Sequence, residues 1–299
     1  LDVQQKSTIP YVTVLGKNLT SQLNYSQTLA LMEKDLEDAI TLLEIDPVTK
    51  SKPDSYYAEA NSDGFYNNRQ HRFNYYATSL LLARVYLWEG SRASIDKALS
   101  LSKRVVDNAE SKGLVKWATS ESITDDINMK SEHLMSLNTQ NLILSTSEYF
   151  KISILSTDYN AQYVTGDRAE QIYEVSTVGG TDYRFTKQFM MNTMVVNGKN
   201  SYTPLKYYGT SSGNSTTSDY ISILRIPEAY YIAAECMLKQ TTPDIAGATQ
   251  VLNQVRSHRG ITTELQNLDA ASLMNEIIKE YSKEFYCEGQ MFFLYKRLG

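Results

Sequence analysis

Two amphipathic hairpins set 150 residues apart constrain this chain more than any other feature of its sequence. Tyr76, Leu80, Ala83 and Leu87 recur at three- and four-residue steps, and Gly90 supplies a stop. Ile95, Ala98, Leu101 and Val105 then form a second stripe. This spacing predicts a helical hairpin over about 74–108. Adding 150 to these positions gives another apolar stripe without a gap. Leu80 maps to Tyr230, Ala83 to Ala233, Leu87 to Met237, Ile95 to Ile245, Ala98 to Ala248, Leu101 to Val251 and Val105 to Val255. A second hairpin is therefore expected over about 224–258, although unrelated amphipathic hairpins of similar length would match in a similar way.

Small alanines recur where two helices must approach closely, and bulky residues recur on either side. Units of this kind bury their apolar face against a neighbour, as tetratricopeptide-like repeats do. The expected fold class is mainly α, a tetratricopeptide-like helical repeat scaffold with long irregular loops and little β. More helix is expected around Leu29, Met32, Leu36, Ile40 and Leu43, ending before Pro47, and around Met274, Ile277, Ile278, Tyr281 and Phe285. The stretch from Lys52, "KPDSYYAEANSDGFYNNRQ", reads as an exposed loop. "NLILSTSEYF" from Asn141 reads as one short strand. The region from Asp158 to Tyr220, with Gly179-Gly180, Gly198 and "GTSSGNSTTS" from Gly209, reads as helix-free. A polar, Tyr-rich region of that length inside a helical protein points to function or disorder, and an irregular ligand-loop region is expected over about 141–220.

Composition narrows the function classes. The net charge of -5, from 29 Lys plus Arg against 34 Asp plus Glu, argues against general affinity for nucleic acid. Two cysteines without a CxxC pair support neither a disulfide framework nor a zinc ribbon. Cys236 and Cys287 both read as packing residues. The longest apolar runs, Leu80 to Leu87 and Phe189 to Val196, fall far short of the ~20 residues that span a bilayer. His71, His133 and His258 stand in no recognisable catalytic setting, and no P-loop, G-x-S-x-G, H-E-x-x-H or dinucleotide motif occurs. The chain carries 22 Tyr against 2 Trp. Tyrosine rings among Asn, Asp, Gln and Arg suit recognition of a sugar, the ring stacking on its apolar face and planar polar groups binding its hydroxyls. Such clusters also occur at protein interfaces.

Several segments together resemble the SusD/RagB family, the surface glycan-binding lipoproteins of Bacteroidetes nutrient-uptake systems. "ISILRIPEAYYIAAECMLKQ" resembles the family's LRLAEVYLxYAEA segment, and "DIAGATQVLNQVRSHRGI" its following A-x-x-x-L-N-x-V-R-x-R-A-G. "IIKEYSKEFYCEGQMFFLYKRLG" is similar to the closing I-x-x-E-R-x-x-E-L-x-x-E-G-x-R-x-x-D-L-x-R. "DLEDAITLL", "ATSLLLARVYLWEG" and "IPYVT" fit the family's order, and the resemblance is weakest from Ser120 to Asp219. Tyr281 stands where the family usually has Arg, Gln290-Met291 for the usual His/Tyr-Arg, and Tyr295 for the usual Asp, departures that bear on a charge network rather than on the fold.

The resemblance implies one SusD-like helical domain over 1–299 that binds an oligo- or polysaccharide without catalysis or cofactor. It implies delivery of that glycan to a SusC-type TonB-dependent transporter at the outer membrane. Membrane attachment is expected only through an N-terminal lipid anchor outside this sequence, and the family's tail is expected beyond Gly299. A helical-repeat protein-interaction module and a glycoside hydrolase are the competing classes. No catalytic or metal-binding residue is expected. On chemical grounds the expected ligand contacts are Tyr149, Tyr159 and Tyr163, Trp117, and Tyr56, Tyr57 and Tyr66 in the first loop. In the closing segment Phe292 and Phe293 are expected to re-enter the core, and Glu284, Glu288 and Arg297 to tie this end to the helical repeats by buried or half-buried polar contacts.

Overall fold

A computed structural model of the chain describes residues 5–155, 157–208 and 219–299. The "GTSSGNSTTS" stretch lies outside the described residues. The chain opens with a small antiparallel pair, β1 (Ser7–Pro10) and β2 (Gln22–Asn24), followed by α1 (Tyr25–Leu42) and α2 (Asp54–Ala60). The first expected hairpin is present as α3 (Tyr75–Glu89) and α4 (Arg92–Asn108). There follow α5 (Ser122–Asp125), β3 (His133–Asn138), α6 (Leu142–Thr146), β4 (Val164–Thr165), α7 (Gly166–Tyr173), α8 (Tyr183–Thr186), β5 (Phe189–Val196), β6 (Lys199–Pro204) and β7 (Tyr220–Arg225). The second hairpin is α9 (Ile226–Leu238) with α10 (Ile245–His258), and α11 (Ala270–Glu284) and α12 (Met291–Leu298) close the chain. The fold is mainly α with little strand.

The repeat positions do the packing the stripe predicts. Leu80, Ala83, Leu87, Ile95, Ala98, Leu101 and Val105 are all buried, as are Tyr230, Ala233, Met237, Ala248 and Val255, while Ile245 and Val251 are half-buried against the same core. α4 lies on α9, so the two hairpins stack. Alanine at both close approaches lets the backbones meet without a void. Asn74 caps α3, its Oδ1 accepting from Tyr76 and Ala77 N–H at 3.0 and 2.9 Å. The same fully buried side chain donates to Leu134 O at 2.8 Å, tying the helix start to β3.

The middle of the chain is more regular than its composition implies. α6 stands where a strand is expected, and α7 and α8 lie within the region read as helix-free. Strands β4, β6 and β5 form an antiparallel sheet in that order. Its hairpin turns at Asn197-Gly198, both left-handed (φ 52° and 74°), which is the Asn-Gly turn signal. Val164, Ala169, Tyr173, Phe185 and Phe189 give this region a small core of its own. A helix also occupies part of the first loop, as α2. β7 pairs antiparallel with β3 in a separate ribbon, Tyr220 opposite Asn138.

A buried ion network joins this middle region to the hairpins. Glu284 on α11 accepts from Arg225 (2.6 Å), twice from Arg259 (2.8 and 2.9 Å) and from Arg184 (3.2 Å). Arg259 and Arg225 also pair with Glu132, Arg225 with Glu288, and Arg184 with Asp182 and Glu280. Arg256 and Lys283 extend it through Glu280, Lys206 through Glu288, and Lys283 also reaches Glu174. The expectation for Glu284 and Glu288 is met, and Arg297 pairs with Glu235 at 2.7 Å. Tyr281, in the place of the family's Arg, donates its hydroxyl to Glu228, which Arg84 holds bidentately at 2.6 and 2.7 Å.

Two expectations for the closing segment are corrected. Phe292 and Phe293 are exposed, and only Leu294 of α12 is buried, because α12 is a last helix with one face on the core. Cys287 is exposed in a left-handed turn (φ 64°), whereas Cys236 is buried as expected. Gly260, just past α10, is also left-handed (φ 80°), and a Cβ there would lie 2.7 Å from Thr181 O.

The network sets two expected outcomes. Glu284→Gln leaves three buried guanidinium groups short of a counter-charge, and chemical denaturation should show a loss of about 3–5 kcal/mol. Burial alone would raise the Glu280 and Glu284 carboxyls, but the cations around them outweigh it, holding Glu280 at about 2 and Glu284 well below 4.5. A depressed folded-state pKa stabilises above the unfolded value and is lost as pH falls through the folded one. The denaturation midpoint should therefore fall steadily from about pH 5 towards pH 2, and less so in Glu284→Gln.

Candidate functional site

The first loop concentrates rings and guanidinium groups at the surface. On α2, Tyr56 is exposed and Tyr57 half-buried, their rings edge to face at 5.4 Å. The Tyr57 hydroxyl accepts from Lys52 N–H at 3.0 Å, so it braces the loop. Further along, exposed Phe65 packs edge to face against half-buried Tyr66 at 5.4 Å. Arg72 lies over Phe65 at 5.3 Å and Arg69 over Tyr66 at 5.8 Å, both within cation–π range. Arg69 is anchored to buried Asp46, and Tyr66 N–H donates to Asn61 Oδ1 at 2.6 Å, so the loop is held in shape.

This loop meets the β3–β7 ribbon. His71 Nδ1 lies 2.6 Å from Ser136 Oγ on β3, and its ring is 4.3 Å from that of Tyr220 on β7. Lys130 sits over the Tyr220 ring at 5.0 Å. Burial first, and then the Lys130 charge, lower His71 to about 4, which leaves the imidazole neutral at physiological pH. Beside them opens a hollow of about 520 Å³ whose lining includes Gln70, Glu110, Lys116, Asp126 and Lys130. The arrangement offers ring faces, fixed planar donors and a hollow whose lining includes charges of both signs. Among the described residues no group of three His, Cys, Asp or Glu side chains is placed to hold a metal ion.

The other expected contacts lie elsewhere. Tyr149, Tyr159 and Tyr163 are exposed after α6, with Gln162 N–H donating to Tyr149 O at 2.6 Å. Their segment runs beside β5, Ile154 N–H donating to Thr193 Oγ1 at 2.9 Å. No ring contact joins these three tyrosines to one another among the described residues. Trp117 is buried, its ring stacked on His258 at 4.3 Å, crossed by Arg259 at 5.1 Å and met edge-on by Tyr230. It is a core residue with no face left for a ligand, which corrects its expected role. Sequence reasoning missed Phe65, Arg69, His71, Arg72, Lys130 and Tyr220. The ring and guanidinium alternation in "FYNNRQHRF" is visible in the sequence, but Lys130 and Tyr220 are brought in only by strand pairing.

Residues 150–298 match the model of the SusD family. The chain belongs to that family. The solved structures bear on the fold of the rest of this SusD-family chain. A SusD superfamily protein of Bacteroides thetaiotaomicron superposes with a TM-score of 0.71 at 22% identity, covering 100% of this chain and 61% of its own. A second, from Bacteroides vulgatus, gives 0.68 at 22%, covering 94% and 56%. Surface glycan-binding protein A from Bacteroides uniformis gives 0.68 at 15%, covering 97% and 61%. The chain thus spans 56–61% of the length of these solved relatives. No curated protein matches it by sequence. None of the described helices is long and apolar enough to cross a membrane.

The electrostatics of the loop are directly measurable. In an NMR titration His71 should protonate near pH 4, and Lys130→Met should move that midpoint upward by removing the adjacent positive charge.

Proposed function

We propose that this chain binds a glycan without catalysis at the bacterial cell surface, as one SusD-like helical domain. In this reading it hands the glycan to a SusC-type TonB-dependent transporter, and an N-terminal lipid anchor outside this sequence holds the protein to the outer membrane. The observation that carries the reading is the shaped loop surface where Phe65 and Tyr66 sit beneath Arg72 and Arg69, with Gln70 of the same loop lining a hollow. Rings that stack on the apolar face of a sugar, with planar donors beside them, are what a carbohydrate needs from a protein. Family membership and the glycan-binding name of the Bacteroides uniformis neighbour add support. Tyr56, Tyr149, Tyr159 and Tyr163, all exposed, remain proposed contacts, with Tyr57 in a bracing role.

A second reading, a protein-interaction module, draws on the apolar hollow of about 360 Å³ lined by Leu29, Met32, Leu81, Trp88 and Phe293. Binding of a protein partner that added sugar leaves unchanged would favour it.

Calorimetry against plant, host and fungal glycans should find saturable binding with no release of reducing ends. Phe65→Ala should weaken it by about 1–2 kcal/mol, the scale of losing a well-packed recognition contact. Absence of binding to every glycan by the folded protein would sink the reading.

A further inference from the structure

The apolar hollow of about 360 Å³ lies where α1, α3 and α12 meet, with Leu29, Met32, Leu81, Val85, Trp88 and Phe293 in its lining. The charged residue of that lining, Arg84, is already held bidentately by Glu228 and lies over the Phe293 ring at 5.6 Å. Beside the hollow, α12 turns the opposite shape to solvent. Phe292 is 66% exposed and meets Phe293 edge to face at 5.8 Å, and Tyr295 is exposed as well. Ile9 on β1, next to Thr8 of the lining, adds another exposed apolar side chain. Apolar side chains grouped at the surface mark interaction sites.

The charges around this face divide by helix. α1 carries Glu33, Asp35, Glu37 and Asp38 against Lys34 alone, whereas α12 carries Lys296 and Arg297 and no acid. Leu29, Glu33 and Glu37 follow at four-residue steps, so a row that starts in the hollow continues into carboxylates. Glu37 accepts from the Tyr86 hydroxyl and from Lys97, but half-buried Glu33 makes no salt bridge among the described residues. Burial first, and then the neighbouring Glu89, raise its pKa, with Lys97 only partly opposing them. On α12 Arg297 is taken by Glu235, while Lys296 is exposed and makes no salt bridge among the described residues. Phe292 and Lys296 also stand four apart, on one side of their helix.

Each helix offers what the other lacks. α1 presents an apolar hollow followed one turn on by a carboxylate without a cation, and α12 a ring followed one turn on by an ammonium without a carboxylate. A patch that holds both halves of such a match is self-complementary, which is what a closed twofold interface requires. Resting on the partner-binding reading of this hollow, we infer that its occupant is a second copy of this chain, Phe292 of each copy entering the other's hollow and Lys296 meeting the other's Glu33. The pairing uses none of the residues of the ring surface at Phe65 and Tyr66, so it is independent of glycan binding.

Sedimentation equilibrium of the whole chain at rising concentration should show monomer and dimer in exchange. Phe292→Ala, Lys296→Glu and Glu33→Lys should each weaken the dimer tenfold or more, with thermal melting unchanged at the exposed positions Phe292 and Lys296. The double variant Lys296→Glu/Glu33→Lys should recover most of the loss, because each reversed charge then faces a reversed partner in the other copy. A monomer at every concentration would overturn the self-pairing and leave the hollow to a different protein, with the calorimetric test of glycan binding unaffected. A dimer that none of the three single variants weakens would place the contact elsewhere and overturn this one. A double variant no better than its singles would overturn the match of Lys296 with Glu33. Assemblies that grow beyond two copies would overturn the closed pairing.

Discussion

The carboxylate of Glu284 is the point on which the rest of this structure depends. Four charged N–H donors from Arg184, Arg225 and Arg259 converge on its two oxygens. Those arginines come from α8, the end of β7 and the residue just after α10, so one side chain of α11 holds together elements spread over much of the chain. Burying charge is costly, and such a cluster persists only when every member is paired. Here each cation has a carboxylate partner and each carboxylate at least one cation. The cluster's value lies in uniqueness: displacing any of these elements strands a charge in the interior.

That anchoring explains how an irregular region becomes a fixed surface. Tyr183 N–H donates to Arg259 O at 2.9 Å, and Tyr173 OH to Lys283 O at 3.1 Å, so the small sheet's own core is bound to the helices at its base. On the other side Asn74 and Asp46 do the same for the ring-bearing loop, one through backbone carbonyls and the other through Arg69. The proposed ligand surfaces are therefore rigid mounts on the helical scaffold rather than free loops. Arg256 ties the end of α10 in the same way, pairing with Glu280 in the ion cluster and donating to Thr263 O.

Different parts of the chain were readable to different degrees. Helical stripes at 74–108 and 224–258 repeat over several turns, and periodicity of that length is hard to produce by other means. The middle region was misread for a physical reason. α6 and α8 are only five and four residues long, too short to show a period, and their stability comes from tertiary contacts. The Asn197-Gly198 pair was the local signal available for the β5–β6 hairpin. Trp117 looked like a ligand ring because composition cannot tell an exposed ring from a buried one. Phe292 and Phe293 looked like core for the same reason.

By itself the sequence determined the paired helical hairpins, the alanines at their contact, the family pattern of the closing segment and the presence of Glu284 and Glu288 as buried tethers. These are local or periodic properties, in which side-chain size and spacing settle which face is buried. Tertiary structure alone decided which rings face outward, that Lys130 and His71 meet Tyr220, and that Trp117 is enclosed by His258, Arg259 and Tyr230. The non-local ones depend on contacts between residues far apart in the chain, such as His71 and Lys130 with Tyr220 and Trp117 with His258. Proximity across such separations is set by the packing of whole elements, and no spacing rule along the chain encodes it.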